Sequence, residues 1–238
     1  MDLLKHLLDT DPSTPRLTCY DETTGGRTDL NAATLDNWAS KVANMLHDEF
    51  DLEPGDRAWV DLPLTWPAAC IVLGAARAGV ELSDDDPLAV FTSLDRLSAW
   101  EEKAPDAVLS AVTDDAFGRG VVECGLDLPP GVIDFGPAVR MYGDAYAGPG
   151  PDPDQPLFGG RSVRQLGDGA RALARERCND RARLLTRGWL DDAGRLDADA
   201  WVSGVLMAWA SGGSVVVVRG GDADRVAAVA EMENAARV

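Results

Sequence analysis

Asp84-Asp85-Asp86 sets three carboxylates side by side, a composition that can hold a divalent cation through oxygen ligands. The run lacks the spaced ligands of a calcium loop, and a solvated turn fits it better. Arg219-Gly220-Gly221-Asp222 follows an apolar stretch and opens a helical one, the arrangement in which a helix start can hold an anion. A lone Gly-Gly pair is weak support, and a strand-to-helix turn capped by Asp222 explains the segment more simply. His6 and His47 are the two histidines, and neither stands near a cysteine. No Ser/His/Asp or Cys/His constellation can be assembled. Cys19, Cys70, Cys124 and Cys178 lie about fifty residues apart, without zinc or redox spacing. Cys70 falls in an apolar run and is expected in the core. No metal site is expected. Trp201 and Trp209 share roughly one helical face and read as core rather than as a stacking platform.

The balance of charge narrows the partners. The chain has 238 residues, 45% hydrophobic and 26% charged, with a formal net charge of −18. Nucleic acid and anionic membrane surfaces are disfavoured by like-charge repulsion. The length suits one globular domain, or two small lobes sharing a core, and buries a sizeable interior without disulfides. The stretch from Met1 to Thr10 is amphipathic and carries Asp2 and Asp9, unlike a signal peptide. No apolar run approaches the length of a membrane helix. A soluble, cytoplasmic protein is the expectation.

Periodicity and turn residues supply the elements that would position any site. Leu3, Leu4, Leu7 and Leu8 share one helical face. Arg16 to Asp21 and Arg27 to Leu30 flank Thr24-Gly25-Gly26 and predict a β-hairpin. Asn31 is placed to cap a helix over Ala32 to Phe50, with Leu35, Trp38, Ala39, Val42, Leu46 and Phe50 inward. Arg57 to Leu62 reads as a strand and Ala68 to Ala78 as an apolar helix started by Pro67 and closed by Gly79. Strands are expected at Leu88 to Thr92, Ala107 to Val112 and Gly131 to Phe135, and a helix at Asp95 to Lys103. Asp144 to Pro156, rich in Gly, Pro and Asp, reads as an exposed linker or long loop. Beyond it come a helix over Ser162 to Arg177, a strand over Arg183 to Thr186 and a helix over Ala198 to Ala210. A near-pure valine strand over Ser214 to Arg219 and a last helix from Asp222 follow. Alternating strands and helices predict an α/β fold around a largely parallel sheet flanked by helices.

Leu52-Glu53-Pro54-Gly55-Asp56-Arg57, a strand ending Leu62-Pro63, and a helix ending Ala75-Ala76-Arg77-Ala78-Gly79-Val80 form an ordered series. A second series runs from Asp180 to Thr186, through Trp189 to Trp209, to Ala210-Ser211-Gly212-Gly213-Ser214 and the valines after it. Together they resemble the N-terminal half of the acyl-CoA synthetase and adenylate-forming (AMP-binding) superfamily. The likeness covers most of the chain and is weak between about Asp84 and Gln155. It is also similar to small, truncated actinobacterial relatives of about this length. The resemblance implies residues 1–238 as a single truncated domain, ending before most of the family's active site.

The resemblance also sets expectations about chemistry. The family's phosphate-binding loop, rich in Ser, Thr and Gly and ending Pro-Lys-Gly, should fall between Asp152 and Val163. The sequence there has neither a Ser/Thr cluster nor a lysine, and Gly159-Gly160-Arg161-Ser162 reads as a turn and helix cap. No ATP or AMP cofactor is therefore expected, and no catalytic residue is assigned. Trp189, Asp191 and Asp192 fall where the family sets an aromatic and a polar group against its substrate. They are the candidate ligand pocket, for a small carboxylate; a strand end and helix cap is the competing reading. The expected role is a non-catalytic binding or assembly module, a homodimer or a complex with a partner covering the apolar face that a missing lobe would expose. The alternative is an acyl- or aryl-carboxylate ligase-like half-enzyme completed by a partner chain, and only there would ATP or AMP bind.

Overall fold

The computed structural model describes residues 3–238. Met1 and Asp2, part of the stretch read above for a targeting signal, lie outside the described residues. The strands are β1 (Pro15–Asp21), β2 (Gly26–Asn31), β3 (Arg57–Asp61), β4 (Glu81–Leu82), β5 (Ala89–Thr92), β6 (Val108–Ala111), β7 (Ile133–Asp134), β8 (Pro156–Phe158), β9 (Arg161–Ser162), β10 (Arg183–Thr186), β11 (Ser214–Arg219) and β12 (Ala236–Arg237). The helices are α1 (Lys5–Thr10), α2 (Ala32–Asp48), α3 (Trp66–Ala78), α4 (Leu97–Lys103), α5 (Phe135–Val139), α6 (Val163–Arg177), α7 (Ala198–Trp201), α8 (Met207–Ala210) and α9 (Ala223–Met232). A π-helical turn, Val202–Leu206, joins α7 to α8.

The chain divides into two compact units, each with its own sheet. Among the described residues, the first comprises the chain up to Leu35, Pro63–Trp66 and Arg164–Val238. Its sheet runs β12-β10-β11-β1-β2, parallel throughout except for the antiparallel β1–β2 hairpin. β1 and β11 are buried along most of their length, as expected of adjacent central strands covered on both faces. The hairpin stands where Thr24-Gly25-Gly26 predicts it, with Gly25 at φ +74°.

The second unit comprises Asp36–Leu62 and Pro67–Val163. Its sheet runs β7-β6-β5-β3-β4-β8-β9, parallel except for the β8–β9 hairpin. α2 is capped as expected: the Thr34 amide donates to Asn31 Oδ1 at 2.8 Å. Leu35, Ala39, Val42, Leu46 and Phe50 are buried and Trp38 is half-buried. Gly74 of α3 lets that helix close on Val42 of α2, since a Cβ there would overlap the valine side chain. A second apolar cluster packs Trp100 and Leu97 of α4 over Val90, Leu109 and Ala111. The Trp100 indole donates to Asp61 at 2.8 Å.

The α/β class and parallel pairing stand, but there are two sheets where the sequence suggests one. The difference is one of partner: β1 takes β11, about two hundred residues away, through Leu17 opposite Val215. β3 opens a separate sheet with β5. The segment from Asp144 to Gln155 is irregular and pinned within its own unit, not a linker between bodies, and Pro156 already belongs to β8. Asp144 pairs with Lys41 at 2.9 Å, and Asn44 donates to the carbonyls of Gly143 and Ala145.

Candidate functional site

The candidate residues follow β10, at the carboxyl end of a strand set in a parallel sheet, where α/β folds commonly hold ligands. β10 ends at Thr186. Its hydroxyl donates to the Gly204 carbonyl at 2.8 Å and accepts from the Gly188 amide at 3.1 Å. Gly188 sits at φ +78°, and a Cβ on it would overlap Leu64. These contacts tie the strand end to the π-helical turn, a local irregularity found frequently at functional sites.

Trp189 is fully buried. It meets Trp201 edge-on at 6.0 Å, and Trp201 meets Trp209 edge-on at 6.0 Å. The three indoles form one core stack. The Trp209 indole donates to the Arg16 carbonyl, whereas the buried Trp189 Nε1 has no hydrogen-bond partner.

Asp191 and Asp192 have different surroundings. Asp191 organises a small hairpin closed by the Leu190–Leu196 bridge. Its carboxylate accepts the amides of Ala193 and Arg195 at 2.9 Å and the Arg195 guanidinium at 3.1 Å. Those bonds, the Arg195 amide first, hold its carboxyl below the usual carboxylate range. Asp192 is solvent-exposed and pairs with Arg187 at 2.6 Å. The cap of the following helix is Asp197, which accepts the Ala200 amide at 2.8 Å.

A pocket of about 430 Å³ opens here, walled by Arg177, Thr186, Leu190, Asp192, Ser203 and Met207. Asp191 also faces it. Trp189 is not among the lining residues and stands in the core. Sequence reasoning missed Ser203, Gly204 and Met207. The signal that could have found them is Gly204 itself, a glycine inside an otherwise strong helical pattern.

The remaining candidates resolve into turns. Arg57 pairs with Asp85 and Asp86, and Lys103 pairs with Asp84 at 2.8 Å. Asp222 caps α9 by accepting the Arg225 amide at 2.8 Å, and Gly220 and Gly221 form the turn before it at positive φ. Gly159 and Gly160 form the two-residue turn between β8 and β9, at φ +57° and +71°. Among the described residues no group of three or more His, Cys, Asp or Glu side chains could hold a metal ion. No helix among them is long and apolar enough to cross a membrane.

No protein-family model matches the sequence. A TIGR03089 family protein from Mycobacterium tuberculosis (strain ATCC 25618 / H37Rv) is 35% identical over 228 residues, covering 92% of this chain and 89% of the relative. An acyl-CoA synthetase from Brucella canis superposes with a TM-score of 0.78 at 18% identity, over 99% of this chain and 46% of its own. Acetoacetyl-CoA synthetase from Streptomyces lividans gives 0.71 at 19% identity, over 99% and 41%. MatB from Rhodopseudomonas palustris gives 0.70 at 19% identity, over 98% and 48%. The chain therefore spans less than half the length of these solved structures.

Proposed function

Because the chain belongs to the TIGR03089 protein family and has the fold of the N-terminal part of adenylate-forming enzymes, we propose that it is a non-catalytic member of that fold, acting as a binding or assembly module. The observation that carries this reading is the β8–β9 hairpin, which stands where the superfamily's phosphate loop is expected. Two left-handed glycines close it in the tightest hairpin geometry. Phe158 faces Arg161 directly across the turn, Ser162 is buried, and α6 starts at the next residue. A two-residue turn lacks the run of amides and hydroxyls that encloses a phosphate. The nearby Asp152 and Asp154 would repel one.

The lysines support the same reading. Lys5, Lys41 and Lys103 are the lysines of the sequence. They pair with Asp9, Asp144 and Asp84 respectively. Catalysis of anhydride displacement draws on cations aimed at the phosphates, and none of the three lysines falls between Asp152 and Val163, where the phosphate loop is expected.

Thermal denaturation with Mg·ATP, AMP and CoA tests the proposal, together with ATP–pyrophosphate exchange over a panel of carboxylic acids. No nucleotide should raise the Tm and no exchange should be measured. A nucleotide-dependent shift, or exchange with any acid, would overturn the reading. The second reading is a carboxylate-handling half-enzyme completed by a partner chain. The pocket beside Thr186, with Arg177 among its lining residues, favours it. Such an enzyme is stabilised by a carboxylate without ATP, and its exchange activity appears only with the partner.

A further inference from the structure

We propose that a second cavity, walled by α1, α6 and α8, is a binding site for a small amphiphile with an anionic head group. The cavity measures about 500 Å³, within the range of small-molecule sites. It shares no lining residue with the pocket beside Thr186, and the inference does not depend on the reading above. Leu3, Ala170, Leu206, Trp209 and Ala210 make an apolar interior. Lys5, His6, Asp9 and Arg171 supply the polar groups.

The walls are built before a ligand arrives. Leu4 and Leu7 bury one side of α1. The His6 ring nitrogen Nε2 lies 2.6 Å from the Trp209 carbonyl, which fastens α1 to the end of α8. Beyond α1, the Asp11 carboxylate accepts the Thr14 hydroxyl at 2.6 Å. Preorganisation of this kind lowers the ordering cost of binding.

The head-group assignment rests on charge. Acidic residues outnumber basic ones 40 to 22 in this chain, yet the cavity is lined by Lys5 and Arg171 against Asp9 alone. The Arg171 guanidinium lies over Gly167, 3.3 Å from where a Cβ would stand, so the missing side chain leaves it room. Lys5 pairs with Asp9 at 2.9 Å and Arg171 with Asp168 at 2.7 Å, both with exposed side chains. Exposed pairs of this kind contribute little, so an entering anion can exchange with them at small cost. The planar guanidinium suits a carboxylate or phosphate head, and the apolar interior suits a short chain or ring.

Calorimetric titration of the full chain with octanoate, octyl phosphate, 1-octanol and octylamine tests the proposal. Saturable binding of one or both anions, at least about tenfold tighter than the alcohol or amine, is expected. The tighter anion identifies the head group. Arg171→Gln should weaken the anion about tenfold and leave the alcohol unchanged. Gly167→Leu should crowd the cavity beside Arg171 and weaken binding, and replacing a glycine inside a helix should not lower the Tm. Anion binding no tighter than alcohol binding, or unchanged in Gly167→Leu, overturns the site. Amide shifts in NMR confined to Leu190 and Ser203 would place the ligand in the other pocket and overturn it as well.

Discussion

The backbones of Gly204 and Gly188 touch: a Cβ built on Gly204 would overlap the carbonyl oxygen of Gly188. The Thr186 hydroxyl bonds to both residues, so the strand end, the positive-φ turn and the π-helical segment are one unit. Gly204→Ala should therefore cost about 2 kcal/mol or more, since neither backbone can yield without breaking those bonds. Gly169→Ala is the matched control. Its Cβ would meet only Val202 Cγ1 at 3.8 Å, and removing a helix-interior glycine should stabilise by about 0.5–1 kcal/mol. Chemical denaturation of the two variants should move in opposite directions. Equal behaviour would refute the close-contact account.

Asp191 and Asp192 should separate in the same way. Asp191→Ala removes the acceptor of two amides and a guanidinium, which should loosen the Leu190–Leu196 hairpin and lower the Tm. Asp192→Ala removes only an exposed ion pair with Arg187 and should leave the Tm near wild type. If Asp192 contacts a ligand in the neighbouring pocket, its loss shows in ligand titration alone. A larger Tm loss from Asp192→Ala than from Asp191→Ala would reverse the assignment.

These contrasts locate what the sequence made legible. The series from β1 through α3 was readable because its signals are local: a glycine turn, an asparagine cap, helical periodicity, and a Pro-Gly break. The strand β11 was readable because its buried valines are continuous. Its pairing with β1 was not, because register between strands so distant in sequence leaves no local mark. β4, β9 and β12 are two residues each, too short for periodicity to show. At the candidate pocket, Trp189, Asp191 and Asp192 are picked out by the family resemblance alone. Their division into core stack, turn organiser and exposed pair depends on Trp201, Arg195 and Arg187, which only folding brings together. The Gly188–Gly204 contact was invisible for the same reason.

Glu233 should make stability fall in acid. Burial works against its charge, but bonds from Tyr20, Arg183 and Arg27 outweigh that and hold its carboxyl near about 2. A carboxyl depressed in the folded state stabilises above its unfolded value and loses that contribution as pH falls through the folded one. Its share, on the order of 2 kcal/mol, should be present at pH 6 and fade between about pH 4.5 and 2. Urea midpoints for wild type and Glu233→Gln across that range should converge as pH falls. A gap that stays constant between pH 6 and 2.5 would rule out this linkage.

Assembly through the second unit is the remaining test. Phe117 and Met141 are 83% and 84% exposed, and Val122 and Leu126 are exposed nearby in the chain. Arg140, next to Met141, donates to the Gly118 carbonyl and to Glu123, which brings the Phe117 and Met141 segments together. If this apolar surface joins two copies, light scattering at tens of micromolar should return twice the 25.3 kDa of one chain. Each copy carries −18, so association should strengthen as added salt screens the repulsion. Phe117→Ser with Met141→Ser should return the single-chain mass and leave the circular-dichroism spectrum unchanged, because neither side chain is buried. A wild-type mass of one chain at high salt, or a dimer untouched by the double substitution, would remove this surface from the assembly proposal.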